Sequence, residues 1–190
     1  MKTIRFIVLV LMVAIVATAS GACSIERRKS QSASQDTKIL VAYFSWGGTT
    51  KKVAEEIVAL TGADIFRVEP QKAYPTEYTP CTKVAKKERD ENARPAIKSV
   101  VENMDKYDIV FIGCPVWWHT APMIISTFAE SYDLEGKTVV PFCTYAETYR
   151  DETLAKLVEL TKKSKHLKGF GSTGSVQGVK AWLEEIGIIK

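Results

Sequence analysis

The sequence predicts a single doubly wound α/β domain over residues 37–190, a parallel sheet with helices on both faces. Three observations predict it. Apolar residues recur in continuous runs rather than in alternation, as in strands buried on both faces. Between these runs the apolar spacing changes to the helical period. Strand and helix patterns alternate about five times without an internal repeat or linker, so the 190 residues hold one core.

The residues before this domain read differently. Lys2 and Arg5 precede an apolar run from Phe6 to Ala19, and small residues follow up to Cys23. That order is the pattern of an export signal, here residues 1–22. The run is shorter than the ~20 apolar residues of a membrane anchor. "SGAC" resembles a bacterial lipoprotein site, which would make Cys23 the lipidated N-terminus, although Ser20 stands where such sites usually carry Leu. Cleavage after Ala19 and an uncleaved anchor are the alternatives. Residues 23–36 are polar and rich in Ser and Gln, the composition of a flexible tether. The expected location is outside the cytoplasm, periplasmic or lipid-anchored to a bacterial membrane. Lys2, Arg5, Arg27, Arg28 and Lys29 all lie in the leader and tether. The domain itself is near neutral, which gives no case for nucleic-acid binding.

Ile39 to Phe44 is the first buried strand, and Val53, Ile57 and Leu60 line one face of the helix after it. Ile65 to Val68 is shorter and more polar, which suits a sheet edge. The charged stretch from Tyr78 to Arg94 predicts an exposed helix stopped by Pro95. Asp108 to Gly113 predicts a central strand, followed by a helix with Met123, Ile124, Thr127 and Phe128 on one face. Thr138 to Cys143 is the next strand, and Pro141, which cannot donate a ladder bond, predicts a bulge there. Leu154, Leu157, Val158 and Thr161 mark a fourth helix and Leu167 to Phe170 a last strand. Val176, Val179, Trp182, Leu183 and Ile186 mark a closing amphipathic helix.

Cys81, Cys114 and Cys143 do not make a disulfide framework, and no Cys-x-x-Cys pair is present. His119 and His166 do not stand at metal-ligand spacings, so no metal site is predicted.

In open α/β sheets, ligands bind beyond the carboxyl ends of the strands. The first loop there is Ser45-Trp46-Gly47-Gly48-Thr49-Thr50. Two glycines let backbone amides approach a ligand, and the following helix start offers unpaired amides and a positive dipole end. This is a phosphate site by residue type. A bound dianion would also make Lys51 and Lys52 acceptable in a helical first turn. The loop is neither Gly-x-x-x-x-Gly-Lys nor Gly-x-Gly-x-x-Gly. The second loop, Cys114 to Pro122, carries adjacent Trp117 and Trp118 at the end of a central strand. Indoles there suit stacking on a flat aromatic ligand, or else packing beneath the next helix. A phosphate cradle beside an aromatic platform fits a planar heterocycle with one phosphate, and FMN meets that description.

These segments resemble the flavodoxin superfamily, in its bacterial flavodoxin-like branch. "YFSWGGTTKKVAEEI" is similar to that branch's first loop, commonly Ser-x-Thr-Gly-Asn-Thr and then a helix. "DIVFIGCPVWWHTAPMIISTFAESYDLEGKTVVPFCT" is similar to its centre, commonly Gly-Tyr-Pro-x-Trp-Trp-Gly-x-x-Pro and later Pro-Phe-Cys-Thr. The resemblance covers roughly residues 38 to 190. It implies a five-stranded parallel sheet in the order 2-1-3-4-5 with FMN at the strand ends. By position, it implies that Ser45, Trp46, Gly47, Gly48, Thr49 and Thr50 hold the phosphate. Pro115, Val116, Trp117, Trp118, His119 and Thr120 would flank the isoalloxazine, and Thr144 and Tyr145 would close its other side.

The sequence departs from the pattern in three places. Gly47 replaces the usual Thr and Thr49 the usual Asn. His119 replaces a frequent Gly, where a neutral imidazole would hydrogen-bond the flavin and a protonated one would favour its reduced anion. Thr144-Tyr145-Ala146-Glu147-Thr148-Tyr149 replaces a glycine-rich stretch. Tyr145 or Tyr149 is placed to cover the ring, and Glu147 would disfavour the reduced anion. Cys114 and Cys143 would end neighbouring strands as buried free thiols.

The function expected is an FMN-dependent electron carrier needing no side-chain acid or base, with a redox protein as partner. Two alternatives stay open: an FMN-dependent reductase of a small quinone-like acceptor, and an exported lipoprotein that keeps the fold without flavin. No twin arginine precedes the apolar run, so the chain would cross the membrane unfolded and acquire FMN outside.

Overall fold

The computed structural model describes residues 37–190; the leader, Cys23 and the tether read at 1–36 lie outside the described residues. In chain order the elements are β1 (Ile39–Tyr43), α1 (Thr49–Thr61), β2 (Asp64–Arg67), α2 (Tyr78–Asp90), β3 (Ile109–Pro115), α3 (Met123–Glu130), β4 (Thr138–Thr144), α4 (Arg150–Leu160), β5 (Lys165–His166), β6 (Phe170–Ser172) and α5 (Val179–Glu185). All strand pairings are parallel. The sheet runs β2-β1-β3-β4, and its fifth position is shared by β5 and β6, both paired to β4. This is the flavodoxin-like order expected above.

The pleat divides the core in two. Leu40 and Ala42 of β1, with Val110 and Ile112 of β3, join Ile124, Ile125 and Phe128 of α3 and Leu157 of α4 on one face. Val41 and Tyr43, with Phe111, Val140 and Phe142, meet Val53 and Ile57 of α1 and Val179, Trp182 and Leu183 of α5 on the other. Both strand faces are therefore apolar, which is why the runs read as continuous. β2 is the exposed edge, with Ile65 at 46 % exposure. No helix among the described residues is long and apolar enough to cross a membrane.

Pro141 acts on its neighbour rather than on its own strand. β4 keeps regular register with β3 through Ile112↔Pro141. On the other side, Val139 pairs His166 and Phe142 pairs Phe170, so the partner strand spends one extra residue and breaks into β5 and β6. Val139 accepts from the Leu167 amide and Tyr145 donates to Ser172 on that side. Backbone groups alternate sides along a strand, so the donor missing at Pro141 falls opposite the break.

α2 ends four residues before the expected stop. Asn92 turns to φ 48 well ahead of Pro95, and Arg94 folds onto Glu130 through two bonds of 2.6 and 2.8 Å. Along α4 and its cap, Leu157 and Thr161 are buried as expected, but Thr153 joins them in place of Leu154, and Val158 is exposed.

Candidate functional site

The loops after β1, β3 and β4 meet at the carboxyl edge of the sheet. Ser45 is buried, and its Oγ accepts from the Gly48 amide at 3.1 Å. Gly48 takes φ 88 at the start of α1, a conformation that favours glycine. No side chain caps this helix, and its first bond runs from Lys52 to the Gly48 carbonyl. The amides of Thr49, Thr50 and Lys51 therefore have no acceptor within the helix. A Cβ built on Gly47 or Gly48 would meet nothing within 4 Å, so the loop faces open space. The Thr50 hydroxyl is turned inward, 2.7 Å from that of Thr144. Lys51 leans back to Glu55 at 3.5 Å, which is part of what settles a lysine in this first turn.

The second loop splits its tryptophans. Trp117 packs edge-on against Phe44 and Tyr74, with centroids 5.2 and 5.0 Å apart. Tyr74 in turn donates to Glu88 at 2.7 Å, and burial pushes both groups' pKa values up. Trp118 and His119 form a two-residue turn closed by mutual bonds between Trp117 and Thr120. Both stand at positive φ, 48 and 71, the type I′ pattern that Asn and Gly usually occupy. That backbone explains a glycine preference at position 119. His119 offsets part of its strain by stacking on Tyr149, centroids 3.9 Å apart.

These residues surround a hollow of about 500 Å³, a size ordinary for small-molecule sites. Trp46, Val116, Trp117, Trp118 and His119 line one part, and Ala146, Glu147, Thr148 and Tyr149 another. The indole of Trp46 is pinned by its Nε1, which donates to the Pro75 carbonyl at 2.9 Å. Tyr78, Cys81, Thr82 and Ala85 of α2 supply the remaining wall. Burial pushes the Cys81 thiol up, so this wall offers no thiolate nucleophile. The arrangement can bind and orient a flat ring; it shows no built nucleophile.

Of the residues read from the sequence, Trp46 and Val116 to His119 line the hollow, while Ser45 and Gly47 to Thr50, next to Trp46 in the chain, form the entry and start of α1 and do not line it. Pro115 ends β3 two residues before the tryptophan turn, and Thr120 closes that turn with Trp117. Thr144 and Tyr145 do not line the hollow. Thr144 is buried against Thr50, and Tyr145 packs with Arg150 over Gly171. Tyr149, the other tyrosine of this loop, does line it. The α2 wall was missed, although Tyr78, Cys81, Thr82 and Ala85 fall at i, i+3, i+4 and i+7, one helical face. Also missed was Gly174, whose Cα lies so close to Thr49 that an added Cβ would clash at 2.7 Å.

Cys114 and Cys143 are register partners at the ends of β3 and β4, and both are free and buried. Burial, then the neighbouring Cys143, drives the Cys114 thiol well up; burial lifts Cys143 from 9.0 to about 12, against the pull of Arg150. Once unfolded, both ionise near 9, so the unfolded state sheds protons first. Their contribution is fully present below pH 9 and is lost as pH rises above it, for Cys143 toward 12. Stability to urea should fall from pH 8.5 to 10.5, by about 2 kcal/mol for Cys143. The fall should be smaller in Cys143→Ala, and an equal fall would refute the account.

The family model described as flavodoxin matches residues 38–186. The chain belongs to the flavodoxin family. A Bacteroides eggerthii protein provisionally described as a flavoprotein is 37% identical, with a TM-score of 0.72, covering 79% of this chain and 98% of its own. A similarly described Bacteroides uniformis protein is 32% identical, with a TM-score of 0.71, covering 78% and 98%. A Lactobacillus acidophilus flavoprotein in complex with FMN shares the fold at 23% identity and a TM-score of 0.66, covering 77% and 98%. No curated protein matches in sequence. Within the flavodoxin fold, the three loops and α2 described above stand at the carboxyl edge of the sheet, where ligands of such sheets bind.

Proposed function

We propose that the protein binds FMN and carries electrons outside the cytoplasm. The observation that supports this most is one junction: three unpaired amides at the start of α1, open space before Gly47 and Gly48, and an aromatic-walled hollow alongside. These groups fit a planar ring bearing one phosphate. The amides and dipole of α1 would hold the phosphate. Trp118, Trp46 and Tyr149 would flank the ring and exclude water, and the bound flavin would supply the electron chemistry. Membership of the flavodoxin family and the Lactobacillus complex with FMN favour this ligand.

Titration of the purified chain with FMN, followed by flavin emission, tests the reading. Emission should be quenched on binding and partly restored in Trp118→Ala. Unchanged emission with the parent chain rejects it. Export and lipidation at Cys23 rest on the sequence pattern alone, and the mass of the mature N-terminus decides between Cys23 and an Ala19 cleavage.

Two other readings have an observation in their favour. Tyr78, Thr82 and Ala85 give the hollow a further wall against which a small quinone-like acceptor would pack, which favours a reductase. Steady-state NAD(P)H oxidation with a quinone separates it from a carrier. The His119–Tyr149 stack occupies part of the hollow's rim, which favours a fold retained without flavin.

A further inference from the structure

Trp118 and His119 adopt a turn that bulky residues disfavour, so something outside the turn must hold it. α2 does. Arg89 Nη1 donates to the Trp118 carbonyl at 3.3 Å, and its guanidinium carbon lies 5.3 Å from the Trp118 ring centroid. Trp118 Nε1 donates to the Thr82 carbonyl at 2.8 Å. Lys86 Nζ stands 5.9 Å from the same ring. Trp118 lines the hollow and neither cation does, so both act on the ligand space through the indole they flank. Asp90 pairs with both cations, which leaves one net positive charge beside the indole.

We propose that Arg89 is the positioning residue of the ring-binding turn, holding Trp118 and His119 in their left-handed conformation and backing the indole with positive charge. Arg89 touches no ligand; it acts through Trp118. The consequence for flavin rests on the FMN reading, while the hold on the turn does not.

The test uses Arg89→Met, which keeps the stem but loses the donors and the charge, and Arg89→Lys, which keeps the charge and a donor but loses the planar fork. In the flavin-free chain, the Thr120 amide closes the turn on the Trp117 carbonyl at 3.1 Å, so its hydrogen exchange reports the turn directly. Exchange at Thr120 should be about tenfold faster in Arg89→Met and intermediate in Arg89→Lys, with Val110 in β3 unchanged. With FMN, Arg89→Met should bind about tenfold more weakly, and its midpoint potential should fall, because a positive charge near the reduced anion is lost. Unchanged Thr120 exchange overturns the proposal, as does an equal rise at Val110, which would mean global loosening. A parent chain that binds no FMN rejects the functional reading, and Thr120 exchange still decides the role of Arg89.

Discussion

A single methyl group added at Gly113 is expected to destabilise the protein by about 3 kcal/mol or more. Gly113 lies in β3 between Tyr43 of β1 and Phe142 of β4. A Cβ there would stand 2.0–2.4 Å from three ring carbons of Phe142, which is fully buried. Side chains paired across neighbouring strands share a face, and the Phe142 ring fills the place left by the missing one at Gly113. The ring cannot swing away cheaply, since Val53, Ile57 and Trp182 belong to the same packed cluster. Gly113→Ala therefore forces apart the two central strands, two residues before Pro115 and the tryptophan turn. Urea unfolding measures the loss. Adding Phe142→Leu to Gly113→Ala should recover part of it, because the two positions share one space. A Gly113→Ala protein within about 1 kcal/mol of the parent would show that β3 and β4 yield more readily than a packed interior should.

The same pair marks the boundary of what the sequence discloses. The apolar runs at Ile39–Phe44 and Asp108–Gly113 announce buried strands because burial on both faces removes every polar position. That Gly113 exists to admit Phe142 is not legible, because register is a property of the assembled sheet. Pro141 shows the same limit. A missing donor is visible in the sequence, but which neighbour yields to it depends on the side that the nitrogen faces, and here the partner strand yields. At the site, local chemistry was legible and assembly was not. Gly47-Gly48 stand before a helix and the paired tryptophans after a strand, as their residue types predict. Thr144 ends β4 and Tyr145 follows it in the expected place, yet the hydroxyl of Thr144 is taken by Thr50, and Tyr145 leans toward Gly171. The charges of α2 concealed its contribution. Lys83, Lys86 and Lys87 draw the eye, while Cys81 and Ala85 on the face behind them are small and buried.

Thr49→Asp is expected to raise the stability of the flavin-free chain while weakening FMN binding roughly a hundredfold. The opposition of sign is what makes it informative. Thr49 is the first residue of α1, its side chain is exposed, and the first turn carries no acid. A carboxylate there meets the positive end of the helix dipole and the unpaired amides, and should stabilise by about 0.3–1 kcal/mol. If the start of α1 is merely a turn, the effect ends there. If it holds a phosphate, the same carboxylate competes for those amides and repels the ligand's charge. Two unit charges 4 Å apart near a protein surface interact by about 4 kcal/mol, and exposure at Thr49 reduces this. Riboflavin, which lacks the phosphate, should bind parent and variant alike, and Thr49→Asn should separate the charge from the lost methyl. Affinity for FMN and for riboflavin, set beside thermal unfolding of the free chain, reads all three quantities. Equal losses for both ligands would place the phosphate away from α1, and the junction of helix start and indole hollow would then have to be reassigned to the ring alone.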